Sequence, residues 1–237
     1  MAEHRREWAG LLFAAAFPSL ATWIYFVVLA GHPSMRLVYG AGKLVMVAFP
    51  LLWVRLVARE PFALPKPAAD GVGIGFAFGL LVAVGAASLY TGWLKASPAF
   101  ADAPAAIRAK LGDIGAATPA RFLALAAFIS ILHSGFEEYY WRWFVFGRLR
   151  RRVPAGAAAI LSGLAFMAHH VIVLGVYFRP QDFWTLTIPL SLGVGIGGMA
   201  WAWLYDRSQS IYASWVSHCL VDLALMAIGY DLVFGTI

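Results

Sequence analysis

Cysteine is almost missing from this sequence. Cys219 stands alone in 237 residues, which excludes an internal disulfide and a metal site built from several thiolates. Charge is scarce too: charged residues make up 13% of the chain, about half the ~25% of a soluble globular domain. Polar stretches long enough to form a soluble domain are absent. What remains is apolar, with 62% hydrophobic residues and a mean hydropathy of +0.75.

The apolar runs have the length of membrane spans, which need ~20 residues each. They fall at about 10–30, 37–57, 71–94, 120–147, 155–177, 183–205 and 209–230. The fold predicted is therefore all-α, a polytopic transmembrane bundle of about 7–8 helices, with residues 1–237 forming one integral membrane domain. The first run follows "MAEHRREW"; it is too long for a signal core and is read as the first span. The net charge of +6 requires no nucleic acid, because basic residues beside spans set topology and meet anionic lipid. Arg148, Arg150, Arg151 and Arg152 carry most of the asymmetry and place the N-terminus in the cytoplasm. Arg36, Lys43, Lys95, Arg108 and Lys110 then belong to the outer side. The Ala-, Gly- and Arg-rich composition suits a bacterial cytoplasmic membrane.

Turn signals separate the spans, among them Pro61, Pro65 and Pro67 after the second and Pro154 after the fourth. Between the third and fourth lies "KASPAFADAPAAIRAKLGDIGAATPAR", too polar to cross; Ile107, Leu111 and Ile114 recur there at helical spacing and predict an interfacial helix. Gly71, Gly75 and Gly79 in the third span, and Gly193 and Gly197 in the sixth, read as grooves for close helix packing. Trp8, Trp53, Trp93, Trp184 and Trp203 lie near span ends, as interfacial tryptophans do.

Ionisable residues within the spans gather on the fourth (His133, Glu137, Glu138, Arg142), fifth (His169, His170) and seventh (His218, Asp222). A charge at the bilayer centre costs roughly 2.5–3.5 kcal/mol on an insertion scale, so each calls for a reason. At ~1.5 Å per residue, Glu137 lies ~15 Å from Gly147, His170 ~22 Å from Ala155 and His218 ~14 Å from Gln209. The three helices thus bring polar groups to one level near mid-membrane.

Glu138 and Arg142 are four apart with the acid first, the favourable order for a helical ion pair. Phe166 and His170 share a helix face, as do His218 and Asp222. Glu137 is rotated about 100° from Glu138, away from Arg142. The pattern predicts a structural Glu138–Arg142 pair and a chemically available Glu137. His133 and His169 are read as packing histidines, although His133, four before Glu137, is within reach of it.

"EEYYWR", "FMAHH" and "HCLVD" fit EExxxR, FxxxH and HxxxN/D. In this order on successive apolar helices they resemble the CPBP family of intramembrane proteases, the CAAX proteases and bacteriocin-processing enzymes also called Abi, over residues from about 120 to 230. The resemblance implies a glutamate-dependent endopeptidase with its site sunk in the membrane, acting on a membrane-associated protein or peptide. It implies Glu137 as the base that activates water, helped by His170. Glu138 and Arg142 would support the base, and His218 and the residue at 222 would stabilise the oxyanion. The family's commoner residue there is asparagine. Asp222 donates a hydrogen bond only when it carries a proton; otherwise it accepts from His218 and orients that ring.

Other protease chemistries lack their motifs. No HExxH or GxGD is present, and the GxSG pattern fails because Ile160 stands where a glycine is needed. No cofactor is expected; the alternative is zinc held by Glu137, His170, His218 and Asp222 with one position open. A proton-coupled transporter and a non-proteolytic membrane scaffold are the competing classes. The sequence has no obvious inverted repeat to favour the first, and its complete motif set speaks against the second.

Overall fold

The computed structural model describes residues 2–63 and 69–235, so Pro65 and Pro67 lie outside the described residues. Every described element is helical. Seven helices are long and apolar enough to cross a membrane: α1 (His4–Val28), α2 (Met35–Val57), α3 (Val72–Ala96), α5 (Pro119–Arg150), α6 (Ala155–Tyr177), α7 (Pro180–Ser208) and α8 (Ile211–Phe234). These match the apolar runs to within a few residues. Between α3 and α5 lies α4 (Ala103–Ile114).

The ends of these helices follow local chemistry. Thr118 accepts the backbone N–H of Arg121 at the start of α5, where Pro119 occupies the first turn and needs no donor partner. Ser210 does the same for Tyr212 at the start of α8. Gly115, at φ +74°, ends α4 in the left-handed conformation that a side chain would disfavour. In α4, Leu111 is buried and Ile107 half-buried against Phe122 and Val233, whereas Ile114 is exposed. The interfacial helix is therefore clamped by two of its three predicted apolar residues.

Glycines set two of the helix pairs. Gly75 and Gly79 let α3 lie directly on α8. A Cβ at 75 would run into the Ala213 carbonyl, and one at 79 would stand 2.7 Å from the Ser217 carbonyl oxygen. In α7 the close approach is made by Gly195 and Gly198 instead of Gly193 and Gly197. Gly195 faces Gly163 and Met167 of α6, Gly198 faces Phe166, and Gly193 faces open space. The spacing of four was present in the sequence, but the face that it marked was not the buried one.

The arginine run at the end of α5 does more than set topology. Buried Arg148 donates to Glu7 of α1 (2.6 Å) and to Glu60 beyond α2 (2.9 Å). Arg151 shares Glu60, and Arg150 pairs with Asp206 of α7. This clasp ties one end of the bundle together. Above it lies an apolar core of Tyr140, Trp141, Phe144, Val145, Phe166 and Trp201, and the polar residues of the spans sit on top of that core.

Candidate active site

The middle of α5 is irregular. A single α-turn, Ser134–Glu137, is flanked by π-helical stretches at Phe128–His133 and Glu138–Phe146. Such widened turns recur at functional sites because they redirect side chains within a continuous helix. Here the change of helix type falls between the two carboxylates.

Glu138 is fully buried and serves two partners. Its Oε1 accepts a hydrogen bond from His218 Nδ1 at 2.9 Å, and its Oε2 stands 3.4 Å from Arg142 Nε. Arg142, also buried, lies against the rings of Phe166 (4.9 Å) and Trp201 (5.1 Å), a cation–π arrangement inside the core. Trp201 stacks on His218 with ring centres 4.0 Å apart. The ion pair predicted from the spacing is present. Its acid also orients the histidine of α8, which the sequence did not show.

Glu137 is surrounded by imidazoles. Its Oε1 is 3.3 Å from His133 Nε2 and 3.8 Å from His169 Nε2, and its Oε2 is 3.7 Å from His218 Nε2. His218 Nε2 is equally 3.7 Å from Asp222 Oδ1, too far for a hydrogen bond. The ring of His218 is thus fixed by Glu138 behind it, and not by Asp222 one turn on. Because Nδ1–H is committed to Glu138, His218 can donate from Nε2 only as an imidazolium.

His170 donates Nδ1–H to the Phe166 carbonyl at 3.0 Å, and its ring lies 4.6 Å from Phe166. The paired motif residues are therefore partners through backbone and ring. Nε2 is left with its lone pair. His170 makes no ion pair with Glu137, but both line one cavity of about 300 Å³ between α1, α2, α5 and α6, together with His133, His169, Tyr39 and Lys43. A second cavity of about 380 Å³, between α2 and α5, shares Tyr39, Lys43, His133 and Glu137 and has exposed apolar Leu44, Phe128 and Phe136 in its wall. His218 and Asp222 are not in either wall; His218 Nε2 adjoins Glu137 Oε2, and Asp222 lies beside His218. The six residues named from the sequence thus fall in one region, with Glu137 and His170 at the cavity and the other four beneath or beside them.

The set considered for zinc is not gathered around one point. His170 Nδ1 is turned to Phe166, Asp222 meets His218, and among the described residues no group of three or more His, Cys, Asp or Glu side chains is placed to hold a metal ion. The described residues do not fit that centre.

Four contributors were missed. His133 and His169 are not bland packing residues, because both face Glu137 Oε1; the (i, i+4) spacing pointed to the first, and nothing in the sequence pointed to the second. His169 also stacks flat on Trp141 at 5.7 Å. Trp201 was not singled out at all. Lys43, assigned to the outer surface, lies inside α2 and reaches His133 Nδ1 at 3.5 Å. The charged residues of the site are therefore not confined to the C-terminal half.

A bundle of spanning helices that buries a glutamate–histidine cluster beside a cavity defines a polytopic membrane protein. Residues 119–224 match the model of the type II CAAX prenyl endopeptidase Rce1-like family. This segment is similar to that family of CAAX-protease-type membrane endopeptidases. No curated protein and no solved structure matches the chain. All six motif residues fall within the matched segment, and Lys43 falls outside it.

Proposed function

We propose that this chain is an intramembrane endopeptidase in which Glu137 activates the water that attacks a peptide bond of a membrane-associated protein or peptide. The observation that carries the reading is the difference between the adjacent carboxylates. Glu138 is fully buried and occupied by Arg142 and His218, whereas Glu137 opens onto the cavity with His170 beside it.

In this reading a water held by Glu137 and His170 Nε2 attacks the carbonyl carbon. Its proton passes to Glu137, and the carbonyl π electrons move to oxygen. His218, as an imidazolium backed by Glu138, donates from Nε2 to the oxyanion. As the C–N bond breaks, Glu137 returns the proton to the leaving nitrogen, so the base ends as it began. The cavity gives water a route to membrane depth, which hydrolysis there requires.

The test is direct cleavage by the purified protein in lipid nanodiscs. The first probe is a fluorogenic peptide with a prenylated CAAX end, chosen from the family's description, and the second is a mixture of membrane peptides. Cleavage that persists in excess chelator supports a water activated by protein side chains alone. Activity lost with a stoichiometric metal and restored on adding it back would overturn this mechanism.

Asp222 offers a separate prediction. Since Glu138 orients His218, an amide at 222 can still face Nε2, accepting from it or donating to the oxyanion. Asp222→Asn is expected to keep activity within about tenfold, and Asp222→Leu to lose at least ~10² by placing an apolar group where the oxyanion must be met beside His218 Nε2. Turnover of both folded variants on one substrate checks this; an Asn form as inactive as the Leu form would make a negative charge at 222 essential.

A further inference from the structure

Lys43 sits in the middle of α2, outside the segment that matches the family. A cation inside a spanning helix is rare and marks a functional or paired site. Among the described residues its ammonium makes no ion pair. It lies 5.5 Å from the Tyr39 ring centre and 3.5 Å from His133 Nδ1. The other nitrogen of that ring, Nε2, is 3.3 Å from Glu137 Oε1. Lys43, His133 and Glu137 thus form a chain across α2 and α5.

The chemistry of that chain fixes a proton. An ammonium has three donors and no acceptor. It can bond to His133 Nδ1 only when that nitrogen carries the lone pair, so the ring proton lies on Nε2, facing Glu137. Glu137 Oε1 is then an acceptor committed to His133. Oε2, on the His218 side, remains for the proton of water. Charge points the same way: with Glu137, Glu138 and Asp222 ionised, Arg142, an imidazolium at His218 and Lys43 balance the cluster. Without Lys43 the cluster carries an uncompensated negative charge.

We propose that Lys43 is a positioning residue of the site, holding His133 in its Nε2–H tautomer so that Glu137 presents one defined oxygen to the water. The effect on turnover rests on the reading of Glu137 as the base. The tautomer does not.

The experiment uses the full chain in nanodiscs with 15N-labelled histidine, the His133 signals being assigned by their loss in His133→Gln. The native protein is expected to show a protonated Nε2 and a bare Nδ1 at His133. Lys43→Arg should preserve this pattern, and Lys43→Met should give a mixture of tautomers. A native His133 protonated at Nδ1, or a tautomer indifferent to Lys43→Met, would overturn the proposal.

Turnover of the prenylated reporter supplies the second readout. Lys43→Met should lower kcat about tenfold with KM unchanged, the size of effect carried by partners that orient a functional ligand. In the His133→Gln background the amide nitrogen can donate to Glu137 unaided. There the same substitution should change kcat by less than about twofold, whereas a merely structural lysine would act additively. A raised KM at constant kcat would make Lys43 a contact for an anionic group of the substrate and would overturn the positioning role. Full activity in Glu137→Gln with a Lys43-dependent tautomer would sink the base assignment and leave the Lys43–His133 pairing standing.

Discussion

Glu137→Gln is expected to lower turnover by at least ~10² while leaving the protein folded, because the amide keeps the size and most hydrogen bonds of the carboxylate but cannot take a proton from water. The surroundings make this a clean substitution. The Gln carbonyl can still accept from His133 Nε2, which lies 3.3 Å from Oε1 in the native protein. Arg142 is paired with Glu138 and loses no partner. Stability in nanodiscs should therefore change little while cleavage falls. A folded Glu137→Gln form that cuts at the native rate would remove Glu137 from the chemistry.

The second large effect is expected at Glu138, and it separates stability from activity. Glu138→Gln leaves the Arg142 guanidinium buried between Phe166 and Trp201 with no anion. Breaking a buried pair on one side costs about 3–5 kcal/mol. The double variant Glu138→Gln/Arg142→Met removes both charges, and replacing a whole buried pair by neutral groups is often nearly neutral. Thermal unfolding should show stability lost in the single variant and largely regained in the double. Activity should stay at least ~10² down in both, since an amide behind His218 Nδ1 no longer stabilises the imidazolium or selects its tautomer. A double variant that recovered activity along with stability would reduce Glu138 to a counter-ion for Arg142.

Part of this site was legible in the sequence because a membrane makes polar residues conspicuous. Glu138 and Arg142, or His218 and Asp222, stand out in apolar runs at a spacing of four, and that spacing alone puts each pair on one face. The spans were legible for the same reason. What the spacing could not supply is register between helices. That His218 meets Glu138 at 2.9 Å depends on how α8 turns against α5, where Trp215 packs over Gly135 and donates to the Ile131 carbonyl. The π-helical stretches on both sides of Glu137 have no signature in composition, so the directions of His133 and Glu138 could not be computed from a uniform 3.6-residue turn. Lys43 was misread because it was counted among the charges of the outer side, although it stands eight residues into α2. A single ammonium that deep in an apolar run was itself the signal.

The most direct measurement compares peptide fragments from membranes of cells that express the native protein and the Glu137→Gln form at equal levels. The account predicts at least one membrane protein whose paired cleavage fragments appear with the native protein and are missing with Glu137→Gln. Identical fragment sets from the two membranes would contradict it.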